Sequence, residues 1–464
     1  MSARTSCAVK SLAAMAIAGA ACLLLCPIGC KRPPPEPPAN DYNVVFISFD
    51  TLRADRLNCY GYQDRRVSPN IDALAAEGIL FENHITSSPW TTPAHLSMLT
   101  SLYPSAHGVL RSFSEIKDDL TTGATVQGLP SVRTTLAEVL KDRGFQTAAF
   151  TGGGTMDPKI GFAQGFEHYD ISMFKLNTMN TEAMFRWIRE HADERFFLFW
   201  HCFEVHGPYV NTDFLKEVLP AEKATRVSEE LKKLARPLRW HTPTMEEHQA
   251  KHLDFRRLLN REEAYTREVC EALYAGGVRS ADRWLGALIA RLRRLGLYDR
   301  TLIIFTSDHG EEFAERREDY FYNRHGHTLY EEMVKVPLII KLPDQAHAGS
   351  RIATQVRIID LMPTVLDVLG IRLRKSEMQG LSLRPLWEEP AKQEDRLAVS
   401  EALSQLDEKK SVRTDRYKYI VTSDEYTVRR HGRKYLPEEP HEKELYDLRR
   451  DPSERVNLLE SSQG

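Results

Sequence analysis

Four short segments of the chain concentrate residues that can bind a metal or hold an anion. In Asp50-Thr51-Leu52-Arg53-Ala54-Asp55 a carboxylate closes an apolar run, where it can ligate a cation. Its other reading is a turn cap, which suits Asp55 better than Asp50. In Pro89-Trp90-Thr91-Thr92-Pro93-Ala94-His95 a hydroxyl opens an apolar helical run. Thr91 there stands where helix N-terminal amides favour an anion, or serves only as an N-cap. His201-Cys202-Phe203-Glu204-Val205-His206 holds two histidines and a carboxylate within six residues, more than packing needs. Ser307-Asp308-His309-Gly310-Glu311-Glu312, followed by His325-Gly326-His327, supplies the oxygen and nitrogen donors that zinc or manganese accepts. A lone surface histidine is ordinarily inert; four such clusters are a site.

The segments between them say how the clusters are held. Asn43 to Phe49 reads as a buried strand, and Ser68-Pro69-Asn70 opens a helix patterned by Ile71, Leu74, Ala75 and Ile79. A helix-then-strand unit runs from Thr134 through Gly144 to Phe150. Phe196 to Trp200 is a further strand, and a long amphipathic helix from about 263 to 295 precedes a strand at Thr301 to Thr306. Such alternation predicts an α/β fold with a large, mostly parallel sheet between helices. Ligands of such sheets collect at the carboxyl ends of strands, where Asp50, His201 to His206 and Asp308-His309 fall. Residues 42–390 form the expected catalytic domain, with a charged helical insertion at about 211–262. Residues 391–464 change character: Ser411 to Val421 alternates like an antiparallel strand, which predicts a small C-terminal α+β subdomain.

With 464 residues, 42% hydrophobic and 27% charged, the chain has ample material for a large core. A net charge of -3 from interspersed acids and bases gives no case for a nucleic-acid partner. Arg4 and Lys10 lead into an apolar stretch from Leu12 to Leu25, too short for a comfortable membrane span. Ile28-Gly29-Cys30 resembles a bacterial lipobox, although Pro27 stands where that motif has leucine. Residues 1–30 are therefore expected to be a signal segment with Cys30 lipidated, and 31–41 a proline-rich tether. The alternative is a plain cleaved signal peptide. The expected location is the cell envelope, exported and held to the membrane by the lipid. Cys59, Cys202 and Cys270, at wide spacing in the body, form no disulfide framework or zinc finger and are expected to be small buried hydrophobes.

The order of the motifs is more specific than any one of them. Asn43 to Asp55, Thr91-Thr92-Pro93-Ala94-His95 with Leu99 to Gly108, Leu302 to Glu311, His325 to Glu332, Ile359 to Asp367 and Leu445 to Pro452 together resemble the sulfatase family of the alkaline-phosphatase superfamily. That resemblance implies an alkaline-phosphatase-like fold and a hydrolase of sulfate or phosphate esters. By motif position it implies a divalent metal on Asp50, Asp308 and His309, with Thr91 as the metal-bound nucleophile. His206 and His327 fall where the family binds the anionic ester or a second metal and would protonate the leaving group; Glu204 is a further candidate there. Sulfatases of the usual kind convert a Cys or Ser to formylglycine, with Arg four residues later, whereas Thr91 and His95 occupy those positions. Threonine cannot become formylglycine, so none is expected. Thr51 replaces the second aspartate of the usual pair, and His309 replaces the usual asparagine. These changes favour zinc or manganese over calcium, which stays the alternative. The substrate is expected to be a small or a glycan- or lipid-linked sulfate or phosphate ester. A phospho-headgroup transferase or phosphodiesterase at the envelope, and a non-catalytic ester-binding lipoprotein, are the other readings.

Overall fold

A computed structural model of the protein describes residues 41–110, 128–152, 154–172, 181–234, 245–316, 325–372, 377–389, 396–402, 408–423 and 443–460. The expected signal segment, Cys30 and most of the tether lie outside them. Nine strands form the main sheet: β1 (Asn43–Phe49), β2 (Ile79–Ile85), β3 (Gln146–Phe150), β4 (His168–Asp170), β5 (Phe196–Cys202), β6 (Thr301–Ser307), β7 (Lys335–Lys341), β8 (Ser350–Ile352) and β9 (Val356–Arg357). Their order is β4-β3-β5-β1-β6-β7-β2-β8, with β9 also on β2. β7 runs against its neighbours β6 and β2, while the other pairings are parallel. The fold is thus α/β with a large, mostly parallel sheet.

Every residue of β1, β5 and β6 is buried, as parallel strands covered on both faces require. Side-chain alternation sorts them into two cores. Val45, Ile47 and Phe49 face one core with Leu198, Trp200 and Ile303. Val44 and Phe46 face the other with Phe197, Phe199 and Ile304. Seven helices matter here: α1 (Pro69–Ala76), α2 (Thr91–Thr100), α3 (Leu136–Asp142), α4 (Thr181–Glu190), α5 (Ala221–Leu234), α6 (Met245–Arg261) and α7 (Arg267–Arg294). α1, α4, α5 and α7 serve the first core, and α2 and α3 the second. α5 and α6 occupy the segment expected to be a helical insertion.

Ile79, expected on the face of α1, instead begins β2. The helix stops at Ala76 because Gly78 lies against the backbone of β7. A β-carbon there would stand 2.8 Å from the Ile340 carbonyl oxygen, so the chain turns into the sheet at once.

The C-terminal region is a four-stranded antiparallel sheet of β10 (Ala398–Ala402), β11 (Glu408–Arg413), β12 (Tyr417–Ser423) and β13 (Lys443–Asp447). It packs Ala398, Ile420 and Tyr446 on Ile85, Leu329, Met333 and Val334. Cys59, Cys202 and Cys270 are free thiols, the latter two buried. No helix among the described residues is long and apolar enough to cross a membrane.

Candidate active site

β3, β5, β1 and β6 are neighbours, and their carboxyl ends bring four loops together. Asp50 follows β1, His201 is the penultimate residue of β5, and Asp308 and His309 follow β6. Strand period dictates which way His201 points. It continues the Phe197 and Phe199 face and pairs in register with Ser48 of β1. α2 packs on that same face, with Thr91 in its first turn and His95 one turn later. All of Asp50, Thr91, His95, His201, Asp308 and His309 are buried.

The hydrogen bonds fix which atoms are free for a ligand. His309 Nδ1 lies 2.8 Å from the Gly310 carbonyl and must donate to it, which leaves a lone pair on Nε2. That nitrogen is 3.4 Å from Thr91 Oγ1, 3.3 Å from Asp308 Oδ2 and 3.6 Å from Asp50 Oδ1. Neither of those two carboxylate oxygens accepts a hydrogen bond, although both are buried. Two unsatisfied carboxylate oxygens beside an unprotonated imidazole nitrogen are costly unless a cation joins them. Asp50, Asp308 and His309 therefore fit a divalent metal, and their donor atoms lie within 4.8 Å of one another.

The other oxygen of each carboxylate is held. Asp308 Oδ1 accepts from the backbone of His309 at 2.9 Å and of Thr51 at 3.3 Å. Asp50 Oδ2 is 3.1 Å from His201 Nε2. Thr51 adopts φ +59° to aim its N–H at Asp308, a left-handed conformation costly for a branched residue. Its hydroxyl donates to the Asp50 carbonyl at 2.7 Å, and its own carbonyl accepts from Tyr274 at 2.8 Å. Gly310 follows because a β-carbon there would lie 1.9 Å from the Glu332 carbonyl oxygen.

Burial shapes the titration of the cluster. It raises the Asp50 carboxyl, and together with Asp50 raises Asp308 to about 7. It lowers His95 to about 4 and His201 to about 3, and takes His309 well below the ordinary range. The histidines are consequently neutral, the form a metal accepts. His95, His201 and Asp308 are a second trio close enough to hold an ion. Their nitrogens are committed, however: His95 Nδ1 donates to the Thr91 carbonyl at 2.9 Å and its Nε2 accepts from Ser48 Oγ at 2.9 Å.

A second constellation adjoins the first. Buried Glu311 accepts from Tyr209 at 2.8 Å and holds His325 Nδ1 at 3.0 Å. Burial opposes charge on His325, but Glu311, Asp50 and Asp308 outweigh it and raise the imidazole. The His325 ring lies 4.7 Å from that of His309 and 5.0 Å from that of His206. His325, quoted in the sequence motif without a role, is thus the member of His325-Gly326-His327 that meets the cluster. His327 lies 2.9 Å from Glu312. Glu204, expected beside His206, instead accepts from Ser280 at 2.8 Å and Asn211 at 3.1 Å. Its segment crosses α7 so closely that a β-carbon at Gly277 would stand 3.0 Å from the Glu204 carbonyl oxygen. His95, His201 and Glu311 received no role from sequence, yet two signals were present. His95 lies one helical turn after Thr91, and His201 keeps the period-two face of β5.

Residues 42–371 match the family model described as Sulfatase, and residues 318–464 match N-sulphoglucosamine sulphohydrolase, C-terminal. Arylsulfatase K of Bos taurus is 26% identical, covering 90% of this chain and 78% of its own. The multifunctional alkaline phosphatase superfamily protein PehA of Trinickia caryophylli is also 26% identical, covering 75% and 77%. The phosphonate monoester hydrolase of Agrobacterium radiobacter superposes with TM-score 0.62 at 21% identity over 91% of this chain and 92% of its own. A structure solved with its substrate D-glucosamine-2-N,6-O-disulfate also gives TM-score 0.62, at 19% identity over 91% and 94%. With the family match spanning most of its length and the motif residues gathered at one sheet edge, the chain belongs to the sulfatase family and is an ester hydrolase.

Proposed function

We propose that this protein is a divalent-metal-dependent hydrolase of sulfate or phosphate esters that uses Thr91 as its nucleophile. The observation that carries this reading is the position of Thr91 Oγ1, 3.4 Å from the unprotonated Nε2 of His309 beside two unsatisfied carboxylate oxygens. Asp50, Thr91, Asp308 and His309 would hold the metal, whose charge lowers the hydroxyl's pKa and offsets that of the ester. An imidazole donor and few carboxylate oxygens suit zinc or manganese better than calcium. The first-turn amides of α2 at Thr91 and Thr92 would receive the anion; Pro93 costs nothing there because first-turn amides have no helical partner.

Thr91 Oγ attacks sulfur or phosphorus, the alcohol leaves with a proton, and water then cleaves the threonine ester. His206 and His325 face each other beside His309 and are the groups assigned to the leaving-group proton. His327, expected to share that role, stands 2.9 Å from Glu312 and stays a further candidate for it. Relatives named for sulfate esters and for phosphonate monoesters support both ester classes. A threonine that cannot become formylglycine favours the phosphate esters. The tether and Cys30 support a lipid-anchored enzyme of the cell envelope, a setting that also suits transfer of a phospho-headgroup to an acceptor alcohol.

Thr91→Ala is expected to lower turnover at least about 10³-fold while zinc still binds, and Thr91→Ser to keep part of the activity. Assays on matched aryl sulfate, phosphate monoester and phosphodiester with zinc, manganese or calcium added back identify the ester and the metal. Undiminished turnover by Thr91→Ala would refute the nucleophile, and calcium-dependent sulfate release would refute the preference for phosphate. Alcoholysis products formed with an added acceptor would identify a transferase.

A further inference from the structure

Asp308 and Asp50 both present one bare oxygen to the cluster, but their other oxygens are held differently. Asp308 Oδ1 is held chiefly by the backbone amides of His309 and Thr51, with only a longer contact of 3.4 Å from the Ser307 hydroxyl. Asp50 Oδ2 is held by a side chain, His201 Nε2, at 3.1 Å. His201 Nδ1 in turn accepts the backbone N–H of Gly152, at 3.3 Å, from the loop that follows β3. An imidazole accepting at Nδ1 carries its proton on Nε2, so it donates to Asp50. His201 is wholly buried, and its ring stands at right angles to His95, 4.9 Å away, which locks its orientation.

We propose that His201 is a positioning residue for Asp50: it occupies Oδ2, so that Oδ1 alone faces Asp308, His309 and Thr91, and Gly152 fixes the tautomer that makes this possible. The inference rests on the metal reading of that cluster. Its consequence is selectivity. A carboxylate confined to one oxygen makes a compact site for zinc or manganese. Freed from His201, Asp50 could offer both oxygens, as the larger shell of calcium prefers. Partners in this outer layer, which orient a ligand without touching the ion, typically contribute about 10–100-fold in affinity.

The test is competitive titration of the full chain, stripped of metal, with zinc, manganese and calcium against a fluorescent chelator. His201→Leu removes the donor, His201→Asn is too short to reach Asp50, and His201→Gln places an amide N–H where Nε2–H stood. Zinc affinity is expected to fall about 10–100-fold in the Leu and Asn variants and to recover in Gln. The ratio of zinc to calcium affinity should fall with it, which a general loss of packing would not produce. Thermal melts of the metal-free variants identify those that fold, and His201→Asn with His201→Gln suffices should His201→Leu not fold. An unchanged zinc-to-calcium ratio in a folded His201→Asn or His201→Leu, with wild type binding zinc, overturns the role of His201 alone. Failure of wild type to bind zinc, manganese or calcium overturns the metal reading, and this inference with it.

Discussion

At the scale of single residues, the cluster stores electrostatic tension that a cation would release. The Asp308 carboxyl, raised to about 7 by burial and by Asp50, keeps a proton that the unfolded chain gives up near 3.8. Between those values the native state binds more protons than the unfolded state, so this group's contribution to stability falls as pH rises from about 4 to about 7. Asp308→Asn should flatten that part of the slope in the metal-free protein. Urea midpoints measured in chelator at about pH 4.5 and about pH 7.5 check it; an identical slope in the variant would show that Asp308 is not the group responsible. The same residues show how far sequence reaches. Asp50, Asp308 and His309 were legible because each follows a strand that reads plainly as apolar. His201 and Glu311 were not assigned, since their roles depend on partners in loops 49 and 14 residues away that no local pattern reveals.

At the scale of elements, the C-terminal sheet is attached to the body through buried charge as well as apolar contact. Lys418 of β12 is wholly buried, 2.9 Å from Glu331 and 2.8 Å from Glu454, and donates to the Leu329 carbonyl at 2.9 Å. Leu329 and Glu331 belong to the segment that also carries His325 and His327, so the sheet and the site share a support. Lys418→Met would leave Glu331 to Arg413 alone, at 2.8 Å, and Glu454 to Arg316 alone, at 3.4 Å, and is expected to cost about 1.5–3 kcal/mol. Denaturant unfolding reads that loss; a change under about 1 kcal/mol would mean that the network rearranges around the methionine. β2 and β7 were the elements least legible from sequence. β7 carries Pro337 inside the sheet, where the missing N–H is matched by a register shift between Phe81 and His84 of β2. Thr306 donates to the Pro337 carbonyl at 2.8 Å, a bond that becomes visible only once β6 and β7 are paired.

At the scale of the whole molecule, the membrane attachment proposed for Cys30 would belong to a terminal segment and be separable from catalysis. Cys30→Ala is expected to shift the exported chain from the detergent phase to the aqueous phase in detergent partitioning, with activity on soluble esters unchanged. Retention of the variant in the detergent phase would refute lipidation at Cys30. The catalytic centre has the opposite character, because it belongs to no contiguous part of the chain. The hydrogen bond from Thr51 to Asp308 spans 257 residues. Contacts of such long range are late events in folding, since the loops they close are large. If the cluster takes up a metal as proposed, capture would therefore wait for the last long-range strand pairing. In a refolding experiment, zinc uptake would report arrival at the native topology, after the helices have already formed.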